Sequence, residues 1–214
     1  MSNKTLIKSE NPFKDEITQI KTLINGISIN YRAYISDILT FNLSEREKTE
    51  KNALRVTSII SYDFFSELYP KNSDKTYLKT YLHDRLLDVT ANYFDAQGYN
   101  TFKERYLTAK VDNKVIKGHA DLILSGHILC EIKNYISGTV NYDMFLTFIH
   151  QIMMYCKILN LKDAYLIIHN PKQFKKIVVF EIGLNNTVKY LDNYLKEILL
   201  IQDYKDNFKY KKTI

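Results

Sequence analysis

Gly118-His119-Ala120-Asp121-Leu122-Ile123-Leu124, then Ser125-Gly126-His127, then Ile128-Leu129-Cys130-Glu131-Ile132-Lys133 is the stretch on which the fold turns. It reads as two apolar β-strands joined by a short turn. An aspartate accompanies the first strand, and a Glu-x-Lys triplet ends the second. Ionised groups beside apolar strands are costly unless they are paired or bind a cation. A solvated Glu-x-Lys pair on a strand surface is the plain alternative. The apolar flanks and the two-strand placement favour a built site.

Strand side chains alternate faces, so Glu131 and Lys133 point one way and Cys130 and Ile132 the other. A two-residue turn at Ser125-Gly126 would set Asp121 opposite Cys130, with Glu131 on the other face. A three-residue connection, Ser125-Gly126-His127, would set Asp121 opposite Glu131, with Cβ atoms roughly 4.5–5.5 Å apart. A site shared by the two carboxylates requires the odd-length connection or a bulge. Two such carboxylates are hard oxygen ligands suited to Mg2+ or Mn2+. Lys133 then faces an anionic substrate, and the Ile132 carbonyl is a possible further ligand.

Working outward, residues up to about 97 read as helical. Ser44 and Glu47 form a capping-box signature, opening a helix towards Tyr69-Pro70. Ser73-Asp74 opens another, whose Tyr77, Leu78, Tyr81, Leu82, Leu86, Val89, Tyr93 and Phe94 keep the helical period. Gly98 suits the position just past its end. Strands are predicted at Thr101 to Thr108, Lys114 to Leu124 and Ile128 to Lys133, with a hairpin turn at Asp112-Asn113. An amphipathic helix is predicted from Asn141 to Leu159. Strands at Ala164 to His169 and Ile177 to Ile182 follow, then a helix over Asn186 to Ile201. This is an α/β sandwich with a mixed sheet, not a doubly wound one. Residues 1–72 are expected as a helical extension packed on the core, 73–201 as the core, and 202–214 as a polar, lysine-containing tail.

Composition sets the limits. The chain has 214 residues, 45% of them hydrophobic, which suits a globular protein with a proper core. No apolar run is long enough to span a membrane, and the start leads into no signal-peptide core. Cys130 and Cys156 sit in apolar segments and read as buried thiols of a reducing, cytoplasmic compartment. Neither CxxC nor a Cys/His zinc spacing occurs, so no zinc or iron–sulfur site is expected. The formal charge of +6 is compatible with a polyanionic partner but does not require one.

Other residues add weight. Gln151 and Tyr155, four apart, share one face of the Asn141–Leu159 helix. His83 lies on the helix before the strands and is able to ligate a metal through a neutral nitrogen. Lys172, Lys175 and Lys176 flank a turn and are candidate phosphate contacts. No Ser-His-Asp arrangement, nucleophile elbow or Walker A loop competes.

Asp121, then Glu131-Ile132-Lys133, then Gln151-Ile152-Met153-Met154-Tyr155, in that order, resembles the PD-(D/E)XK nuclease superfamily. Gln151, Tyr155 and the upstream His83 are similar to the RecB-like branch. The resemblance covers roughly residues 77 to 182. It implies a restriction-endonuclease-like αβββαβ core, with Asp121, Glu131 and His83 on the metal and Lys133 catalytic. Gln151 and Tyr155 would support the site or touch DNA. The family's cluster cysteines are absent, and Lys79 stands where a glycine usually precedes the helix histidine. The function implied is divalent-metal-dependent hydrolysis of DNA. Two alternatives are a homodimeric endonuclease like the archaeal Holliday-junction resolvases, and a non-catalytic DNA-binding or assembly protein that keeps the fold.

Overall fold

A computed structural model of the chain describes residues 11–35, 54–55, 73–111, 114–135, 138–170 and 177–211. Residues 33–35, 54–55, 73–82, 85 and 201–211 are described by backbone alone. The elements in order are α1 (Lys14–Leu23), β1 (Ser28–Ile35), β2 (Leu54–Arg55), α2 (Ser73–Asp95), β3 (Thr101–Val111), β4 (Lys114–Leu124), β5 (Ile128–Asn134), α3 (Tyr142–Leu159), β6 (Asp163–His169), β7 (Ile177–Gly183) and α4 (Val188–Lys211). The order from α2 to α4 is the predicted one. The seven strands form one sheet in the order β1-β7-β6-β5-β4-β2, with β3 also on β4. It is mixed: β5 runs parallel to β6 and β2 to β4, while the other pairs are antiparallel.

Period-two burial separates the two faces. Leu129, Ala164, Leu166, Ile168, Val178 and Phe180 face the layer of α1, α3 and α4. Cys130, Ile132, Tyr165, Ile167 and Val179 face α2, packing on Leu86, Leu87, Val89 and Phe94. Phe13, Phe145 and Phe180 lock the first layer. Phe13 stacks on Phe145 at 4.8 Å, and each meets the Phe180 ring edge-on. Such ring geometries add to the burial energy.

The N-terminal reading needs correction. Ser28–Ile35 is a strand paired antiparallel with β7, not helix. In its sequence Ile29, Tyr31, Ala33 and Ile35 alternate with Ser28, Asn30, Arg32 and Tyr34. Leu54-Arg55 is likewise a strand residue pair beside Ile116 and Lys117. The Ser44–Glu47 cap lies outside the described residues, as do Asp112-Asn113. At the other end, α4 continues to Lys211, into the stretch from Gln202 that is expected as a polar, lysine-containing tail outside the core. No described helix is long and apolar enough to cross a membrane.

Two features of β4 position the site. First, among the described residues β4 pairs with β5 only over Leu122–Leu124 and with β2 only at Ile116 and Lys117. Gly118 to Asp121 therefore border a fork between β5 and β2. Second, the face alternation slips. Ile116 and Ala120 face the α3 layer, but Leu122 and Leu124 face α2, although all four are even-numbered. Opposite the slip, Glu104 takes φ +45°, between the pairs Lys103–Leu122 and Arg105–Ala120. A left-handed backbone is uncommon outside glycine.

Candidate active site

The β4–β5 connection is the three-residue one, with Leu124 opposite Ile128 and Leu122 opposite Cys130. Ser125 (φ +49°) and Gly126 (φ +76°) make the left-handed bend. Continued by one rung, this register would set Asp121 against Glu131. The ladder stops there instead, which corrects the picture of two carboxylates on one face of a closed hairpin. Glu131 looks toward α3. Asp121 fills the fork: its Oδ2 accepts the Ile132 N–H at 2.7 Å, and its Oδ1 lies 3.3 Å from His83 Nε2 on α2. The two acids thus approach from the two helical layers.

Glu131 is 2% exposed. Its Oε1 accepts from Lys133 Nζ at 2.6 Å and from Gln151 Nε2 at 2.7 Å. Lys133 Nζ also donates to Gln151 Oε1 at 2.6 Å. The glutamine amide therefore clamps acid and lysine together, donating to one and accepting from the other. Gln151 Nε2 reaches the Tyr155 hydroxyl at 3.1 Å, and that hydroxyl also accepts the His119 backbone N–H. Gln151, predicted at the edge of an apolar helix face, is in fact buried, as is Tyr155.

The charges respond to this burial. Desolvation, then the neighbouring Asp121 charge, pushes Glu131 up to about 8. Burial opposes the Asp121 charge too, but His83, Lys133 and the Ile132 amide hold its carboxyl below the ordinary value. Tyr155 is pushed up by burial and by Glu131, so it stays a neutral hydroxyl.

Asp121, Glu131, Lys133, Gln151, Tyr155 and His83 are thus brought together. Ile132 contributes its amide to Asp121, while its side chain lies in the α2 core. Lys172, Lys175 and Lys176 lie outside the described residues. Among the described residues, the acid and histidine donors drawn within 4.8 Å of one another are His83, Asp84 and Glu104, not His83, Asp121 and Glu131. The sequence reading missed Asp84 and Glu104. It also missed Phe148, whose ring centre lies 5.4 Å from Lys133 Nζ. Phe148 precedes Gln151 by three residues, so helical spacing was the available signal.

Does the donor set suit a divalent cation? Glu131 Oε2 is buried with no hydrogen-bond partner among the described residues, beside a second buried carboxylate. Paired buried acids with an unsatisfied oxygen are a costly arrangement that a hard cation relieves. The residues fit.

Among solved structures of the same architecture, SSO0001 aligns at a TM-score of 0.51 and 21% identity, over 73% of this chain and 79% of its own. The alkaline exonuclease LHK-Exo from Laribacter hongkongensis, in complex with dAMP, aligns at 0.50 and 7% identity, over 76% and 93%. A phage-related exonuclease from Haemophilus somnus 129PT aligns at 0.49 and 12% identity, over 73% and 82%. The chain has the PD-(D/E)XK nuclease fold. No family model matches the sequence, and neither does any curated protein. At these identities the likeness speaks for the fold, and the chemistry is argued from the residues.

Proposed function

We propose that this PD-(D/E)XK-fold chain is a divalent-metal-dependent nuclease that hydrolyses DNA phosphodiester bonds. The observation that carries the reading is the pair of buried acids Asp121 and Glu131 beside the partly buried Lys133 at the fork between β5 and β2, with Glu131 Oε2 unsatisfied among the described residues. Asp121 and Glu131 would hold Mg2+ or Mn2+, with the Ile132 carbonyl as a further oxygen. The ion, when bound, lowers the pKa of water and neutralises charge on phosphoryl oxygens.

The protein's own groups do the rest. Lys133 presents its ammonium beside Glu131, where it hydrogen-bonds the attacking water or a non-bridging phosphate oxygen as negative charge develops. Gln151 fixes the lysine and the glutamate in one geometry, so neither has to be ordered during the reaction. Tyr155 holds Gln151 and takes no part in proton transfer, since burial keeps it neutral. Hydrolysis adds the elements of one water across a P–O bond, giving a phosphate monoester and a free hydroxyl. That LHK-Exo, an exonuclease of the same architecture, is solved in complex with dAMP supports a DNA substrate here.

Cleavage of end-labelled single-stranded and duplex DNA tests the reading, with Mg2+, Mn2+ or a chelator. Asp121→Asn, Glu131→Gln and Lys133→Ala should each lower cleavage by roughly 100-fold or more, with circular dichroism melts confirming that each variant folds. Metal-independent cleavage, or full activity in Glu131→Gln, would reject it.

A further inference from the structure

His83 stands between two sets of acids. Its Nε2 faces Asp121 Oδ1 at 3.3 Å, and its Nδ1 faces Asp84 Oδ1 at 3.6 Å. The second distance is too long for a hydrogen bond. Asp84 is 4% exposed, and its Oδ1 has no hydrogen-bond partner among the described residues. A buried carboxylate oxygen left in that state is costly. Across from it, Glu104 completes a trio whose donor atoms all lie within 4.8 Å of one another. Glu104 sits at the left-handed backbone position, where the β3 and β4 faces slip together.

We infer that His83 Nδ1, Asp84 and Glu104 form a second cation site, on the far side of the imidazole from the Asp121–Glu131 pair. An imidazole with two carboxylates suits a first-row divalent ion such as Mn2+ or Zn2+ better than Mg2+. The assignment also gives His83 a different part from the one expected of it. With Nδ1 on the second ion, Nε2 carries the proton and donates to Asp121. A histidine that binds a metal through one nitrogen and a carboxylate through the other fixes both orientations. His83 then aligns Asp121 instead of sharing its cation. The inference does not depend on the nuclease reading, because the trio is defined without Glu131 or Lys133.

Mn2+ titration of the full chain without DNA, followed by electron paramagnetic resonance of the free ion, tests it. The wild type should take up two ions, while Asp84→Asn and Glu104→Gln each take up one, and Glu131→Gln should keep the ion at the His83 trio. Mn2+ should raise the Tm of Glu131→Gln but not of Glu131→Gln/Asp84→Asn. Both single variants of the trio retaining the wild-type count would overturn the site, as would a sole wild-type ion that disappears in Glu131→Gln. A sole ion that disappears in Asp84→Asn but survives in Glu131→Gln would uphold the site while removing the metal from the Asp121–Glu131 reading. Glu104 is only half-buried, so Glu104→Gln remains informative should Asp84→Asn fold poorly.

Discussion

One residue without a side chain, Gly118, sets the geometry of the lysine end of the site. Its φ is not in the left-handed region, so backbone freedom is not what the position needs. It needs room: a Cβ there would lie 2.5 Å from Tyr155 Cε1 and 2.8 Å from the hydroxyl. The Tyr155 ring rests on the bare backbone of β4, and its hydroxyl accepts the amide of the next residue, His119. From that anchor the chain of contacts runs through Gln151 to Glu131 and Lys133. Gly118→Ala should push Tyr155 outward, cost about 1–3 kcal/mol of stability through overpacking, and slow cleavage roughly tenfold or more through the misplaced lysine. Thermal melts and single-turnover rates check both parts. A variant equal to wild type in both would mean that Tyr155 does not seat the clamp. Removing the link itself, in Gln151→Ala, should lower kcat with little change in substrate KM, since Gln151 orients groups of the site and does not bind the nucleic acid. A raised KM at unchanged kcat would place it in binding instead.

At the scale of elements, α3 carries three of the site's side chains, and its ends are fixed by two asparagines. Asn141 accepts the Met144 N–H at 3.1 Å as the N-cap, and Asn160 adopts φ +55° at the C-cap. Asn141→Ala should cost about 1 kcal/mol, a Tm decrease of roughly 2–4 °C at this chain size, with cleavage at low temperature unchanged because the core holds the helix in place. Asn160→Gly should be neutral or slightly stabilising, as glycine takes the left-handed turn without strain. A calorimetric scan of both variants decides. What was legible in the sequence was the part written in side-chain period. The apolar runs of β4 and β5 and the spacing of Gln151 and Tyr155 follow from residue pattern, whereas the length of the β4–β5 connection stays open between two and three residues until the strand register decides it. β1 carried a period-two signal too, at Ile29, Tyr31, Ala33 and Ile35, which a helical reading of the whole N-terminal stretch passes over. The slip of faces at Glu104 and Asp121 has no such signature, because a glutamate in a left-handed backbone looks like any other glutamate in the sequence. That is why Asp84 and Glu104 went unseen, and why Asp121 was expected beside Glu131 on one face instead of in the fork.

For the whole molecule, the buried site makes stability depend on pH. Glu131 has its proton affinity raised in the folded state, to about 8 from an ordinary 4.5. The folded protein therefore holds a proton that the unfolded chain releases above 4.5. That contribution is fully present below pH 4.5 and is lost as pH rises through 8, on the order of a few kcal/mol in all. His150 acts in the opposite sense. Burial lowers its value to about 4 from 6.5, under the stacked Tyr194 ring, so its contribution is present above pH 6.5 and lost as pH falls towards 4. The two effects oppose each other below pH 6.5, but between 6.5 and 8 the glutamate acts without the histidine. In chelator, the wild type should lose stability across that upper window, and Glu131→Gln should flatten the decline. His150→Phe should leave the upper window alone and change the slope between 4 and 6.5. Denaturant melts at half-unit pH steps separate the three proteins. If wild type and Glu131→Gln keep parallel stability curves from pH 6.5 to 8, the buried glutamate does not hold its proton there. Saturating Mn2+ should remove the same decline in the wild type, because a cation on the glutamate replaces the proton it would otherwise keep.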